Sequence, residues 1–565
     1  MPGRVQLLAL RDFTGGLNYL TDPYQLRPSE SPEALNVDML PAGGVKRRQA
    51  VRTLNAVALS SVPTNLFAYY SQSQIVAQVG QTIAYGTASG SFTAVSQAAA
   101  PFDVAFTGVM RAAAMGRLTG SVGDNLYLTR GTNLAVRWNG SAATALLDAC
   151  GAYNDNIGAA AGGKFPRASY VTQWNGFMVA ASTLEGTTAF KSRVRWSHPG
   201  EPEDWRTNDY VDVNPGDGDE IVGIAPFGER LLIFKHHSVY VMAGYSPETF
   251  QVTQVSSNVG AVSQEAIASS PLGVAFFDEG RGVFLYDGSG VQWAWDRMQP
   301  KLADNSIPTA YRSRIVLGWH GARLLCSVPW ETSTTNARTF VMDTRVGRGS
   351  WTAYAYGVGS LMDFHANGVS HMDLATSPTT GYILNLRAGT GLDNFGSGDA
   401  GFKSYFRTSW IDAGATGVRK RWRRPRFILS NMNAGQFPIT SWRDYVTCQA
   451  GATSTIFVPP CLPQASEGSL STPLLYDSGI SYDNSNEYDA GSVTVSVTTT
   501  PLVWGTGKWG QALWGGQTNG TEPRKVMPGP ALGRAISVQL QIQGPNDLDW
   551  TLDGIQIPYI VMRVR

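Results

Sequence analysis

The stretch "EIVGIAPFGERLLIFK", Glu220 to Lys235, decides how this chain is read. Two short apolar runs, Ile221 to Ala225 and Leu231 to Phe234, flank a corner that holds Gly228. Runs this short, rich in Ile, Leu, Val and Phe, read as paired antiparallel strands, because a buried helix runs to about ten residues or more. The glycine supplies positive φ, or room, at the hairpin corner. The same unit returns in "SYVTQWNGFMVAAS" (Ser169 to Ser182), "EAIASSPLGVAFFD" (Glu265 to Asp278) and "SRIVLGWHGARLLCSV" (Ser313 to Val328), with turn glycines Gly176, Gly273 and Gly321.

A third strand rich in Val, Ile, Tyr and Trp follows each hairpin. The candidates are "TIAYG" ending at Gly86, "NLAVRW" at Trp138, "SRVRW" at Trp196, "SVYVM" at Met242, "GVFLYDG" at Gly288, "TFVMD" at Asp343 and "GYILN" at Asn385. They lie roughly 40 to 60 residues apart, the period of a β-propeller blade. A small twisted sheet cannot bury both faces alone, and stacking such sheets around an axis buries them against each other. A series of β-sandwiches or a β-solenoid would use the same strands. The period favours an all-β propeller over residues 61–393. Six or seven blades fit, because "GAAAGG" (158–163) stretches the unit around Cys150. Composition agrees: 62 glycines and 11% aromatic residues against only 15% charged suit many short strands joined by tight turns.

Both ends differ in texture from this repeat. Residues 1–60 form an extended arm, "FTGGLNYLTDPYQLRPSESPEALNVDMLPAGGVKRR" from Phe13 to Arg48, broken every few residues by Gly or Pro yet studded with Phe13, Leu17, Tyr19 and Tyr24. A disordered tail has no use for such apolar surface, so the arm must lie on something else. Beyond "NFGSGDAG" (394–401), residues 394–565 read as a second β domain that closes on the period-two tail "DWTLDGIQIPYIVMRVR". Its basic run, "VRKRWRRPRFILS" from Val418 to Ser430, would if extended place Arg419, Arg421 and Arg423 on one side. Lys420, Trp422, Arg424 and Arg426 would then face the other. A partner contact with Trp422 as apolar anchor, a charge-protected edge strand and a DNA-contacting ring are all compatible with it, and the first is preferred.

Charge and motifs narrow the function. With 44 Lys+Arg against 43 Asp+Glu, generic adhesion to nucleic acid or to an anionic membrane is not the working principle. The opening "VQLLALRDF" is too short for a signal-peptide core, and no apolar run approaches a membrane span of about 18 residues. Four cysteines are expected as reduced thiols, with a Cys448–Cys461 bridge as the alternative. There is no G-x-S-x-G, H-E-x-x-H or P-loop, and the six histidines are scattered, His236-His237 reading as a turn. "NPGDGDE", with Asp217, Asp219 and Glu220, is either a calcium loop or an Asp-Gly blade-entry turn. Trp504, Trp509 and Trp514 stack sugars or bases, or simply pack. No catalytic residue, cofactor or metal is assigned, and the chain is not read as an enzyme.

The arm from Phe13 to Arg48, the blade "GDGDEIVGIAPFGERLLIFKHHSVYVMAG" and the closing "TSWIDAG…RKRWRRPRF" segment together resemble the nozzle, or tail tubular protein B, of short-tailed T7-like bacteriophages. The resemblance implies a structural virion protein. It would form a homohexameric ring below an adaptor ring, meet tail fibres or tailspikes, and pass viral DNA through its lumen, without membrane insertion. It also implies that the two chain ends share a β platform from which the propeller projects, the arm reaching a neighbouring subunit. Phe13, Leu17, Tyr19, Tyr24, Arg421, Trp422, Arg423 and Arg424 are then the candidate interface residues, and loss of residues 11–50 should remove interface rather than core. A receptor- or glycan-binding virion propeller and a propeller glycosidase are the alternatives.

Overall fold

The computed structural model describes residues 4–96, 101–102, 105–118, 123–150, 163–366, 369–389, 391–430, 435–444, 452–458, 525–529 and 532–562. Cys448, Cys461 and the tryptophans at 504, 509 and 514 lie outside these residues.

The repeat is a ring of four-stranded antiparallel units. The unit quoted above comprises Ile221–Phe227, Arg230–Lys235, Val239–Ala243 and Gln251–Ser256, paired in sequence order with Phe227 opposite Arg230 at the hairpin. Gly228 takes φ 55° there. Every one of the seven expected third strands occupies the third position of its unit, from Thr82–Gly86 in the first to Ile383–Gly389 in the last. Six units stand as separate four-stranded sheets. The remaining one, Val316–His320 through Trp351–Tyr354, occupies the sixth place in the ring but continues sideways into a nine-stranded sheet.

First strands of successive units pack on one another, and the last, Ser360–Ala366, meets the first, Pro63–Tyr69, which closes the ring. Each junction buries its own apolar cluster. Leu231, Ile233 and Met242 meet Val179, Ala181 and Trp196 between the third and fourth blades, and Phe364, Leu374 and Ile383 meet Leu66, Ile75 and Ala77 between the seventh and first. The seventh blade takes its outer strand from the beginning of the chain. Ala50–Thr53 pairs antiparallel with Ile383–Gly389, Thr53 opposite Leu384. The arm is therefore not confined to the platform: its last strand completes the propeller, so the ring is sealed by residues distant in sequence.

The platform is built from both ends. One sheet gathers Gln6–Leu10, Val37–Met39, Val45–Arg47, Lys420–Trp422, Arg426–Ser430, Lys525–Pro528 and Gly533–Ala535 around the long strand Thr551–Val561. The second carries Glu33–Leu35, Tyr405–Arg407, Val538–Gln543, Gly435–Arg443 and Ala452–Val458 outward from the sixth blade, Leu35 pairing in parallel with Ala353. One apolar core runs without interruption from blades five and six into the platform, joining Trp295, Phe340 and Trp351 to Phe13, Leu17, Phe406, Trp422, Trp550 and Ile555. Trp295 and Trp351 meet edge to face, 4.8 Å between centroids, a geometry worth about 1 kcal/mol beyond its buried area.

Candidate functional site

The arm lies on its own propeller. Arg297 donates to the Gly15 carbonyl at 2.6 Å, Ser350 Oγ to the Thr14 carbonyl at 2.6 Å, and the Tyr19 amide to the Arg297 carbonyl at 2.9 Å. Gly16 allows this crossing: at φ +65°, a Cβ would stand 2.8 Å from the Trp351 carbonyl oxygen. Phe13 and Leu17 are completely buried, Phe13 against Phe406 at 5.0 Å. Residues placed this way are core, so the expectation that they contact a second subunit is corrected, and with it the expectation that removing residues 11–50 spares the core. Tyr19 is largely enclosed, its ring 4.8 Å from Lys301 Nζ, and burial pushes its hydroxyl up to about 12. Tyr24 is half exposed, 6.3 Å from Trp410.

The basic run divides by strand alternation. In Lys420–Trp422 the outer two residues point inward and Arg421 points to solvent. Trp422 is 1% exposed and its indole donates to the Ala535 carbonyl at 3.0 Å, so it anchors the platform core rather than an external partner. The Lys420 ammonium is buried with it and donates to the carbonyls of Ala415, Val418 and Ile536. Burial lowers its pKa, with Asp412 opposing. The extended run breaks after Trp422. Pro425 is buried, Arg423 is exposed and Arg424 is half-buried, and pairing resumes at Arg426.

Register then defines the outer face of this sheet. Leu7 stands opposite Pro558, Arg421 opposite Ile560, Arg426 opposite Gln556, and Ile428 opposite both Gly554 and Val526. The intervening residues Leu10, Phe427, Ile555 and Ile557 face the core. The outer face thus combines exposed apolar groups, Leu7 at 58% and Val526 at 55%, with the exposed guanidinium groups of Arg421 and Arg426. Arginine is among the residues enriched at protein interfaces, and exposed aliphatic groups beside it add apolar surface that a partner can bury. Sequence reading found the arginines and missed Leu7 and Val526, whose strands look ordinary until the sheet order is known.

Elsewhere, the loop around Asp217 is structural. Asp217 holds the buried Lys235 ammonium at 2.7 Å, Asp219 accepts from the amides of His236 and His237, and Glu220 pairs with Lys191. The three carboxylates therefore serve separate partners. Cys326 is a buried thiol and Cys150 a half-buried one. Among the described residues, no helix is long and apolar enough to cross a membrane.

The histidines are less scattered than their spacing suggests. In the seventh blade Asp363 stands directly opposite Asp373 across the first two strands, and His371 Nε2 lies 2.8 Å from Asp363 Oδ1 and 3.9 Å from Asp373 Oδ1. His320 of the sixth blade approaches from behind, Nδ1 3.7 Å from Asp373 Oδ2, and burial pushes its pKa down to about 4, leaving a neutral ring at neutral pH. Burial also raises the Asp363 pKa; His371 opposes this and Asp373 adds to it. The sequence signal was the mirrored pattern Asp363-x-His365 and His371-x-Asp373 on either side of a hairpin.

No family model matches the chain, and no curated protein matches it. Among solved structures the chain is similar to BBS1N in its complex with ARL6DN, at TM-score 0.38 and 11% identity over 60% of this chain and 97% of that one. It is likewise similar to YCF48 from Cyanidioschyzon merolae, at TM-score 0.36 and 9% identity over 60% and 98%. The third is an ancestral GH74 enzyme, at TM-score 0.39 and 10% identity over 61% of this chain and about half, 49%, of that one. The architecture described above, a β-propeller with a β platform, defines the class.

Proposed function

We propose that this chain is the structural subunit of a nozzle of the tail tubular protein B kind: a ring that closes the portal vertex of a short-tailed phage and conducts DNA during ejection. The observation that carries the reading is the outer platform face, where strands from both chain ends expose Leu7, Val526, Arg421 and Arg426 together. The sequence resemblance at the arm, the fourth blade and the C-terminal segment supports it. So does the single core shared by platform and propeller, since a subunit that bears load around a channel must transmit force between its parts without a hinge. In this reading the outer face meets a neighbouring subunit or an adaptor ring, with the arginines pairing to carboxylates. Native mass spectrometry of the purified chain tests it: six-membered rings are expected, whereas a monomer or trimer with affinity for glycans would replace it with the receptor-binding reading, and turnover of glycosides with the enzymatic one.

A further inference from the structure

We propose that Asp363, His371 and Asp373 form a binding site for a divalent first-row transition cation of the zinc type, placed where the propeller ring closes. One ligand atom from each of the three residues lies within 4.8 Å of the other two. At bond lengths near 2.0 Å and tetrahedral angles, ligand atoms around zinc stand about 3.3 Å apart. The separations from His371 Nε2, 2.8 and 3.9 Å, bracket that spacing, so rotamer adjustment within the hairpin suffices.

A second observation points the same way. Asp373 is 2% exposed, and its two oxygens are used unequally. Oδ2 is approached by Arg387 Nε at 3.4 Å and His320 Nδ1 at 3.7 Å, while Oδ1, on the side of His371, is buried without a hydrogen-bond partner. A buried carboxylate oxygen left without a donor is costly, and two carboxylates directly opposite across strands repel. A cation between them satisfies the Asp373 oxygen and removes the repulsion. Arg387 then serves as the outer partner that orients the Asp373 ligand.

The donor set selects the ion. Two carboxylates and one imidazole suit zinc-type cations, whereas calcium and magnesium favour all-oxygen shells with more ligands. The location gives the ion its role. Tyr70 of the first blade donates to the Asp363 carbonyl at 3.0 Å, stacks on Phe364 and lies tilted 4.7 Å from His365, so the site adjoins the seam between the last blade and the first. A bound cation would pin the two inner strands of the blade that the N-terminal strand completes. This role stands apart from ring assembly and holds for a monomer equally.

The test uses the full chain, stripped with chelator and titrated calorimetrically with zinc, manganese, magnesium and calcium chlorides. One zinc per chain is expected, with magnesium and calcium binding at least a hundredfold more weakly. His371→Gln, at a side chain that is 45% exposed and so tolerant of substitution, should weaken zinc binding at least tenfold, while His236→Gln, at a turn in the fourth blade, should leave it unchanged. Thermal melts provide the second readout: zinc should raise the midpoint of the wild type and of His236→Gln, but not that of His371→Gln. Absence of stoichiometric zinc, equal affinity for magnesium, or wild-type affinity in His371→Gln would each overturn the proposal.

Discussion

Replacing Arg48 by methionine should open the seam of the propeller. The Arg48 guanidinium is 2% exposed and spans Asp393 with both arms, Nη1 to Oδ1 at 2.9 Å and Nη2 to Oδ2 at 2.5 Å. Its Nε donates to Asn36 at 2.9 Å, and its plane lies 3.8 Å over Phe402. Asp393 in turn accepts from the Val51 amide at 2.9 Å, so the pair ties the outer strand Ala50–Thr53 to the far end of the seventh blade. Removing one partner of a buried pair costs about 3–5 kcal/mol, because the other charge stays behind. Methionine recovers packing on Phe402, which places the expected cost near the lower end, about 3 kcal/mol. Because the effect is local to the seam, the assay is amide hydrogen exchange at Val51 to Thr53 and Leu384 to Asn385, where 3 kcal/mol of local opening corresponds to roughly 150-fold faster exchange. The double variant Arg48→Met with Asp393→Leu removes the stranded carboxylate and should exchange more slowly than the single one. Exchange within about threefold of wild type in Arg48→Met, or a double variant as open as the single, would refute this account of the seam.

Trp422→Ala should cost about 3–5 kcal/mol and melt the platform, whereas Arg421→Gln with Arg426→Gln should leave the melting curve nearly unchanged and weaken ring assembly; differential scanning calorimetry and native mass spectrometry separate the two effects. Asp217→Asn leaves the Lys235 ammonium, which is fully buried, without its carboxylate and should destabilise the fourth blade by about 2 kcal/mol, read as a lower melting midpoint that added calcium does not restore. Glu185 is held below its usual pKa: burial opposes this, but the hydrogen bond and charge of Arg195, then the charge of Arg193, prevail. Its contribution is present above the unfolded value of 4.5 and is lost as pH falls through the folded value, so Glu185→Gln should lower stability at pH 7 and flatten the decline below about pH 4.5 in urea midpoints.

The third strand of every blade, and the paired first two strands of the third to sixth blades, were legible because each carries a short, mostly apolar run at a blade-like period, and burial writes itself into composition. The outer strands were not. Phe92–Ala94, Ala143–Ala145 and Val291–Trp293 are short and largely exposed, and nothing in their residues distinguishes them from loops. The outer strand of the last blade was hidden for another reason: Ala50–Thr53 pairs with residues more than 300 positions away, and local pattern carries no record of that. Alternation through Lys420, Arg421 and Trp422 was readable, but which side met the core depended on the long strand Thr551–Val561. The Asp363, His371 and Asp373 cluster was written in the sequence as a mirrored pattern whose meaning required the hairpin register.

The central claim is that the chain is a ring-forming conduit, and electron microscopy of the purified protein tests it most directly. Closed rings of six subunits around an open axial channel are expected, which fail to form in Arg421→Gln with Arg426→Gln although each subunit remains folded. Dispersed single propellers at concentrations where the wild type is folded, or rings unaffected by the double substitution, would contradict it.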